Sequence, residues 1–351
     1  MLQTVTYCPI LHARVAEIKA LHNLPSASKD RMLPIIVGRP WPNANRLNRT
    51  WEKVHDALGD RPYALDLDPT RRNSGSPKEA AGEFDSLFDV SEGCVSYYDL
   101  IATLKNAIPV LRIQGGEAPA LQEQLDCVNA LDKGLVLRLK YNEVTRPIDL
   151  ASQVMQATDD LAVVIDAGWS PDLLGREAWA TGIIQALTDL QPEVELVVCG
   201  SSFPDSFTSV GDRGTISVHE RSLFDGLVRR HNAAALTYGD WGSTRPPSVD
   251  SVPMRNVPRI DLPDRRRWIC FRREAAEGYP EVAARVVDDE DWPDELEIWG
   301  TYMIRSTAEA LPGSIRSAGT AAAARINIHL HRQVHFDAAQ LIGEGDEPFV
   351  D

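Results

Sequence analysis

Ten side chains could do chemistry in this sequence, and each lies at or just beyond the end of a short apolar run. They are Arg39, Asp66, Asp68, Arg112, Arg138, Lys140, Asp166, Ser201, Asp240 and Trp241. Arg39, Arg112, Arg138 and Lys140, if brought together, would hold an anion such as a phosphate through charge-assisted hydrogen bonds. Asp66, Asp68, Asp166 and Asp240 offer an alternative. Carboxylates gathered at strand ends can hold Mg²⁺ or Mn²⁺ for phosphoryl chemistry, as a phosphodiesterase or nuclease would. The same aspartates also suit two plainer roles, capping the next helix or pairing with Arg112 and Arg138 as a neutral polar plug. Tyr238 and Trp241, in "YGDWGS", could stack on a flat ring.

Other motifs are weaker. "VVCGSSFP" offers Cys199, Ser201 and Ser202, but there is no GxSxG elbow and no evident base. "QGGEAP" and "GEGDE" match neither phosphate-loop pattern and read as turns. In "INIHLHRQVHF", read as a strand, His329 and His331 share one face at a zinc-ligand spacing, together with Gln333 and His335. No third ligand is evident, so exposed polar histidines are the preferred reading there.

The elements that must position these residues form a repeat. Eight β-type runs, "TYCPIL", "MLPIIVG", "YALDL", "IPVLRI", "GLVLRLK", "LAVVIDAG", "VELVVCGSS" and "AALTYGD", start 26 to 45 residues apart. That spacing leaves room for one crossover helix between parallel strands. The intervening "HARVAEIKALHNL", "LQEQLDCVNALD", "PIDLASQVMQATDD" and "REAWATGIIQALTDL" carry apolar residues at helical spacing. Eight strands alternating with helices predict an α/β fold, a (β/α)8 TIM-like barrel over residues 1–250, with the open doubly wound sheet as competitor. Residues 251–340 read as a small α+β appendage packed on the barrel, and 341–351 as an acidic, frayed tail. In such a barrel the strands' C-terminal ends carry the site, so the charged residues in question would share one mouth.

Composition narrows the functional classes. With a net charge of −15, broad binding along a nucleic-acid backbone is disfavoured, although a confined basic pocket remains compatible. No apolar run approaches the ~20 residues of a membrane span. The start, "MLQTVTYCPILHARVAEIK", has no secretory pattern, and the 5 cysteines include no CxxC pair. A cytoplasmic protein with reduced thiols is expected.

Taken in order, "YCPILHARVAEIKAL", "MLPII", "YGDWGS", "IWGTYMI" and "ARINIHLHRQ" resemble the beta protein family, from Tyr7 to about His335. That family is known from T-even bacteriophages and from bacterial genomes, often in mobile or defence-associated regions. The resemblance implies a barrel-like core and a role in conflict between phage and bacterium, and brings no catalytic residues with it. The expected function is binding of an anionic, phosphate-bearing ligand, a nucleotide or nucleic-acid end, in concert with a partner protein. The metal-dependent nuclease is the alternative, and a bound Mg²⁺ or Mn²⁺ is expected only under it. Binding is preferred because no complete metal or nucleophile motif is present.

Overall fold

Each of the eight apolar runs contributes a strand to one sheet. The computed structural model describes residues 2–247, 257–274 and 277–337. The strands are β1 (Tyr7–His12), β2 (Ile35–Gly38), β3 (Tyr63–Leu67), β4 (Ala107–Pro109), β5 (Leu135–Lys140), β6 (Leu161–Trp169) and β7 (Glu195–Ser201). After β8 (Arg213–Ser217), which pairs elsewhere, comes β9 (Leu236–Asp240). The 8-stranded sheet runs β4-β3-β2-β1-β9-β7-β6-β5, with every pair parallel. Its two edges meet through a parallel bridge, Val110 to Val136, where Leu111 N donates to Val136 O at 2.9 Å. The sheet therefore closes into a barrel, and the open-sheet alternative falls.

Alternation along the strands explains the interior. Cys8 and Ile10, Ile35 and Val37, Ala64, Ile108 and Val110, Val136, Ala162 and Val164, and Val197 and Cys199 form one buried cluster. Successive strand residues face opposite ways, so these share the inward parity. Continuing each series by two positions gives His12, Arg39, Asp66, Arg112, Arg138, Asp166 and Ser201. The aliphatic filling of the barrel thus becomes a polar layer at the C-terminal end of the strands. The opposite parity packs on the crossover helices; Ile183, Ile184 and Leu187 of the helix Glu177–Leu190 are buried in this way.

Contacts divide the chain into two compact units, the barrel (Met1–Arg14, Met32–Phe203, His219–Val249) and a second unit (Val15–Arg31, Pro204–Val218, Asp250–Asp351). The second unit contains a 3-stranded antiparallel sheet of β10 (Arg259–Pro263), β11 (Arg267–Arg272) and β8, in the order β10-β11-β8. Helices Val15–His22, Tyr279–Val287, Trp299–Ala308 and Ala318–Val334 belong to the same unit. Its core includes Ile260, Leu262, Ile269, Phe271, Val282, Ile304 and Ile328. The tail 341–351 lies outside the described residues.

One expectation is overturned here. "INIHLHRQVHF" is not a strand; most of it lies in the 17-residue helix Ala318–Val334, which Ser317 caps by accepting from Thr320 N at 3.2 Å. The apolar-polar alternation misleads because this stretch of helix is buried all round, from Arg325 to Leu330. Several of its polar groups find partners inside the unit. Arg325 pairs with Asp261 at 2.9 Å, and Asn327 bonds Ala20 O and Gly300 N, each at 2.9 Å. Residues two apart on a helix point to different sides, so His329 and His331 share no face. The histidines that meet are instead His331 and His335, one helical turn apart, with ring centroids 4.7 Å apart.

Candidate functional site

Four side chains of the polar layer interlock into an alternating chain of charges. Arg112 Nη1 donates to Asp66 Oδ1 at 2.9 Å, and Arg138 Nη1 to Asp66 Oδ2 at 2.7 Å. Arg138 reaches onward to Asp166 Oδ2 through Nη2 at 2.5 Å and Nε at 3.1 Å. All four residues are buried, none more than 5% exposed. A buried pair holds only when the remaining lone pairs and protons are also met, because desolvation rivals the Coulombic gain. Here they largely are. Leu67 N donates to Asp66 Oδ1 at 2.7 Å, and Gly168 N to Asp166 Oδ1 at 2.8 Å. The Arg138 guanidinium lies 4.9 Å from the Trp241 ring centroid, and that of Arg112 lies 5.1 Å from Tyr97 and 5.4 Å from Phe88. Burial opposes the charged form of Asp66, yet Lys140, Arg138 and Arg112 outweigh it and hold the carboxyl well below its usual range. Burial likewise opposes the charge on Arg138, and Asp166 and Asp66 more than restore it.

Around this layer the other expected residues take distinct places. Asp68 caps the short helical turn Pro69–Arg71, accepting from Thr70 N at 3.0 Å and Thr70 Oγ1 at 2.6 Å. Its other oxygen faces Arg39 at 3.6 Å. Arg39 and Lys140 are the more open cations, with side chains 15% and 28% exposed, and Lys140 lies 3.6 Å from Glu143. Ser201 Oγ donates to Thr244 O at 2.6 Å and so fastens the segment that follows β9. Trp241 packs between the layer's Arg138 and His12, whose ring is 5.4 Å away.

Asp240 belongs to a different cluster. Its parity matches Tyr238, which faces the helix His219–Arg230 and meets Phe224 at 5.4 Å. Tyr7 Oη donates to Asp240 Oδ1 at 2.5 Å, Gly242 N to the same oxygen at 2.7 Å, and Tyr238 Oη to Oδ2 at 2.8 Å. Tyr238 is stacked on Tyr7 and covered by the Arg221 guanidinium 3.5 Å away. Its ring is thus already in contact with both. Asp240 and Tyr238 tie β1 to β9.

The carboxylates do not offer an open metal cage. Asp66 and Asp166 spend their lone pairs on guanidiniums and backbone N–H groups, and a cation would have to displace Arg138 to reach either. Among the described residues no group of three or more His, Cys, Asp or Glu side chains is placed to hold a metal ion. Cys199 is a buried core thiol pushed far up by burial.

Sequence reasoning missed two residues. His12 is the inward-parity residue that ends β1, and extending the Cys8, Ile10 series by one step would have found it. It is fully buried, and burial together with the charges of Arg14, Arg39 and Arg138 keeps its imidazole neutral. Glu220 accepts from Ser202 N and Ser202 Oγ, both at 2.6 Å. Burial pushes its carboxyl up from the usual 4.5 to about 7 against the pull of those bonds. The folded state therefore holds this proton where the unfolded chain has lost it. The contribution to stability is full below pH 4.5 and is lost as pH rises through about 7. Glu220→Gln mimics the protonated acid and should flatten that fall, read as urea midpoints across the window. An equal slope in the variant would show that Glu220 is not its source.

The fold and site define a closed (β/α)8 barrel whose C-terminal mouth rests on a buried, charge-paired layer. The family model described as Beta protein matches residues 7–335, so the chain belongs to the beta protein family. It is similar to Protein beta of Enterobacteria phage P4, with 27% identity over 353 residues, 97% of this chain and 96% of the phage protein. That phage relative comes from P4 rather than a T-even phage. No solved structure matches the chain. Among the described residues no helix is long and apolar enough to cross a membrane.

Proposed function

We propose that the barrel mouth binds an anionic, phosphate-bearing ligand, a nucleotide or nucleic-acid end. The protein uses that ligand together with a partner protein in conflict between phage and bacterium. The observation that carries the binding reading is the gathering of Arg39, Arg112, Arg138 and Lys140 at the strand ends of an otherwise acidic protein. Burial, and beside it the charges of Arg14, Arg39 and Arg138, opposes protonation of His12. The inner ion pairs form a rigid floor. Arg39 and Lys140, the two partly open cations, would make first contact with the anion, and Arg112 Nε is a buried donor with no hydrogen-bond partner among the described residues. The similarity to a phage protein supports the setting.

Thermal melting with pyrophosphate and a panel of nucleotides tests this. A ligand at 100 times its Kd stabilises a fold by about 2.7 kcal/mol. The expected result is a rise in Tm with at least one phosphate-bearing ligand, largely lost in Arg39→Ala/Lys140→Ala. Silence across the panel, or a rise that the double variant leaves intact, would remove the mouth as the site. A rise with Mn²⁺ alone would favour the nuclease alternative.

A further inference from the structure

His12 poses a question that the anion reading leaves unanswered. Its Nε2 lies 3.1 Å from the carbonyl oxygen of Arg245. A carbonyl can only accept, so Nε2 carries the proton. In a neutral imidazole the other nitrogen is then a bare acceptor. Nδ1 is buried and has no hydrogen-bond partner among the described residues. A buried acceptor left without a donor is costly, and native structures rarely leave one unexplained.

The surroundings restrict what can fill it. The oxygens of a fully ionised phosphate ester are all acceptors, so that group satisfies the guanidiniums and leaves Nδ1 unmet. A cationic amine would bring a proton, but Arg14, Arg39 and Arg138 surround His12 with like charge. An uncharged hydroxyl supplies the donor without that repulsion. The ring cannot turn away, because Nε2 is tied to Arg245 and the imidazole packs on Trp241 at 5.4 Å.

We propose that His12 is a ligand-binding residue whose Nδ1 accepts a hydrogen bond from a hydroxyl of the anion held at the mouth. The ligand is therefore a hydroxyl-bearing phosphate ester, with a ribonucleotide or a sugar phosphate as its sources. This rests on the anion-binding reading above and adds a requirement to it. The phosphate lies toward Arg39 and Lys140, and the sugar hydroxyl lies deeper, toward β1.

Isothermal titration calorimetry at fixed salt tests it with ATP, GTP, CTP and UTP, their 2′,3′-dideoxy counterparts, ribose 5-phosphate and pyrophosphate. Loss of one well-made hydrogen bond corresponds to about tenfold in affinity. At least one ribonucleotide should bind about tenfold more tightly than its dideoxy counterpart. Ribose 5-phosphate binding as well as the nucleotides would identify a sugar phosphate as the source. His12→Phe keeps a ring against Trp241 and removes both nitrogens. It should erase the preference for the hydroxyl, whereas His12→Gln should keep part of it. Equal binding of ribo and dideoxy forms to the unaltered protein would overturn the proposal alone and leave Nδ1 to a water molecule. Binding by neither pyrophosphate nor any phosphate ester would overturn the anion reading with it. If His12→Phe fails to fold, the comparison on the unaltered protein decides the matter by itself.

Discussion

Arg138→Met lowers the stability of the barrel by about 3–5 kcal/mol, the cost of removing one partner from a buried ion pair. Arg138 bridges Asp66 and Asp166, at 2.7 and 2.5 Å. Without it Asp166 loses its guanidinium, and Asp66 keeps only Arg112 at 2.9 Å. Two carboxylates that folding has taken out of water must then protonate or draw water in. The penalty therefore belongs to the orphaned anions more than to the missing side chain, and that has a consequence. In an Asp66→Asn/Asp166→Asn background the same Arg138→Met change should cost far less. Urea unfolding of the three variants checks this as a cycle. Full additivity, with Arg138→Met equally damaging in both backgrounds, would mean that the layer is not held by these pairs.

Gly239→Val should be comparably severe, at about 3 kcal/mol or more, for a steric reason. A Cβ at Gly239 would lie 2.6 Å from the carbonyl oxygen of Cys8 and 3.0 Å from Cys199 Cβ. Cys8 and Gly239 are register partners in the β1–β9 pair, so the carbonyl cannot retreat without opening the barrel at that seam. Overpacking a filled core usually costs about 1–3 kcal/mol, and a clash with backbone lies beyond that range. Gly82 provides the control. It lies in the helix Glu79–Ser86, and a Cβ there would meet nothing within 4 Å. Gly82→Ala should leave stability unchanged or raise it by about 0.5–1 kcal/mol. Chemical denaturation of both variants separates a close approach between strands from a general intolerance of substitution at glycine.

The barrel was legible because two periods are written plainly in the chain. Apolar runs such as "LAVVIDAG" recur at crossover spacing, and helical stripes such as "REAWATGIIQALTDL" fill the gaps. The convergence of Asp66, Arg112, Arg138 and Asp166 followed from placing each at the end of its run. What the charges do there was less legible. Whether Arg112 meets Asp66 or a ligand depends on side-chain reach across the barrel, which no spacing along the chain records. Asp240 illustrates the limit. It ends its strand like the others, but its parity is that of Tyr238, and a one-residue difference sends it toward a helix instead of the mouth. His12 escaped notice because "YCPILHAR" reads as the start of a helix-bearing segment, with the strand's last inward position hidden in it. The helix Ala318–Val334 was misread because its stretch from Arg325 to Leu330 is buried all round, and a helix buried in this way loses the one-sided stripe by which helices are recognised.

The central claim is that the mouth above the Arg138 layer takes up a tetrahedral oxyanion. Anomalous diffraction from crystals of the protein soaked in tungstate, a heavy analogue of phosphate, tests it most directly. The tungsten peak is expected at the C-terminal end of the strands, within bonding reach of Arg39 and Lys140 and above the Asp66–Arg138–Asp166 chain. A mouth without a peak at saturating tungstate, or a peak confined to the outer surface of the barrel, would contradict it.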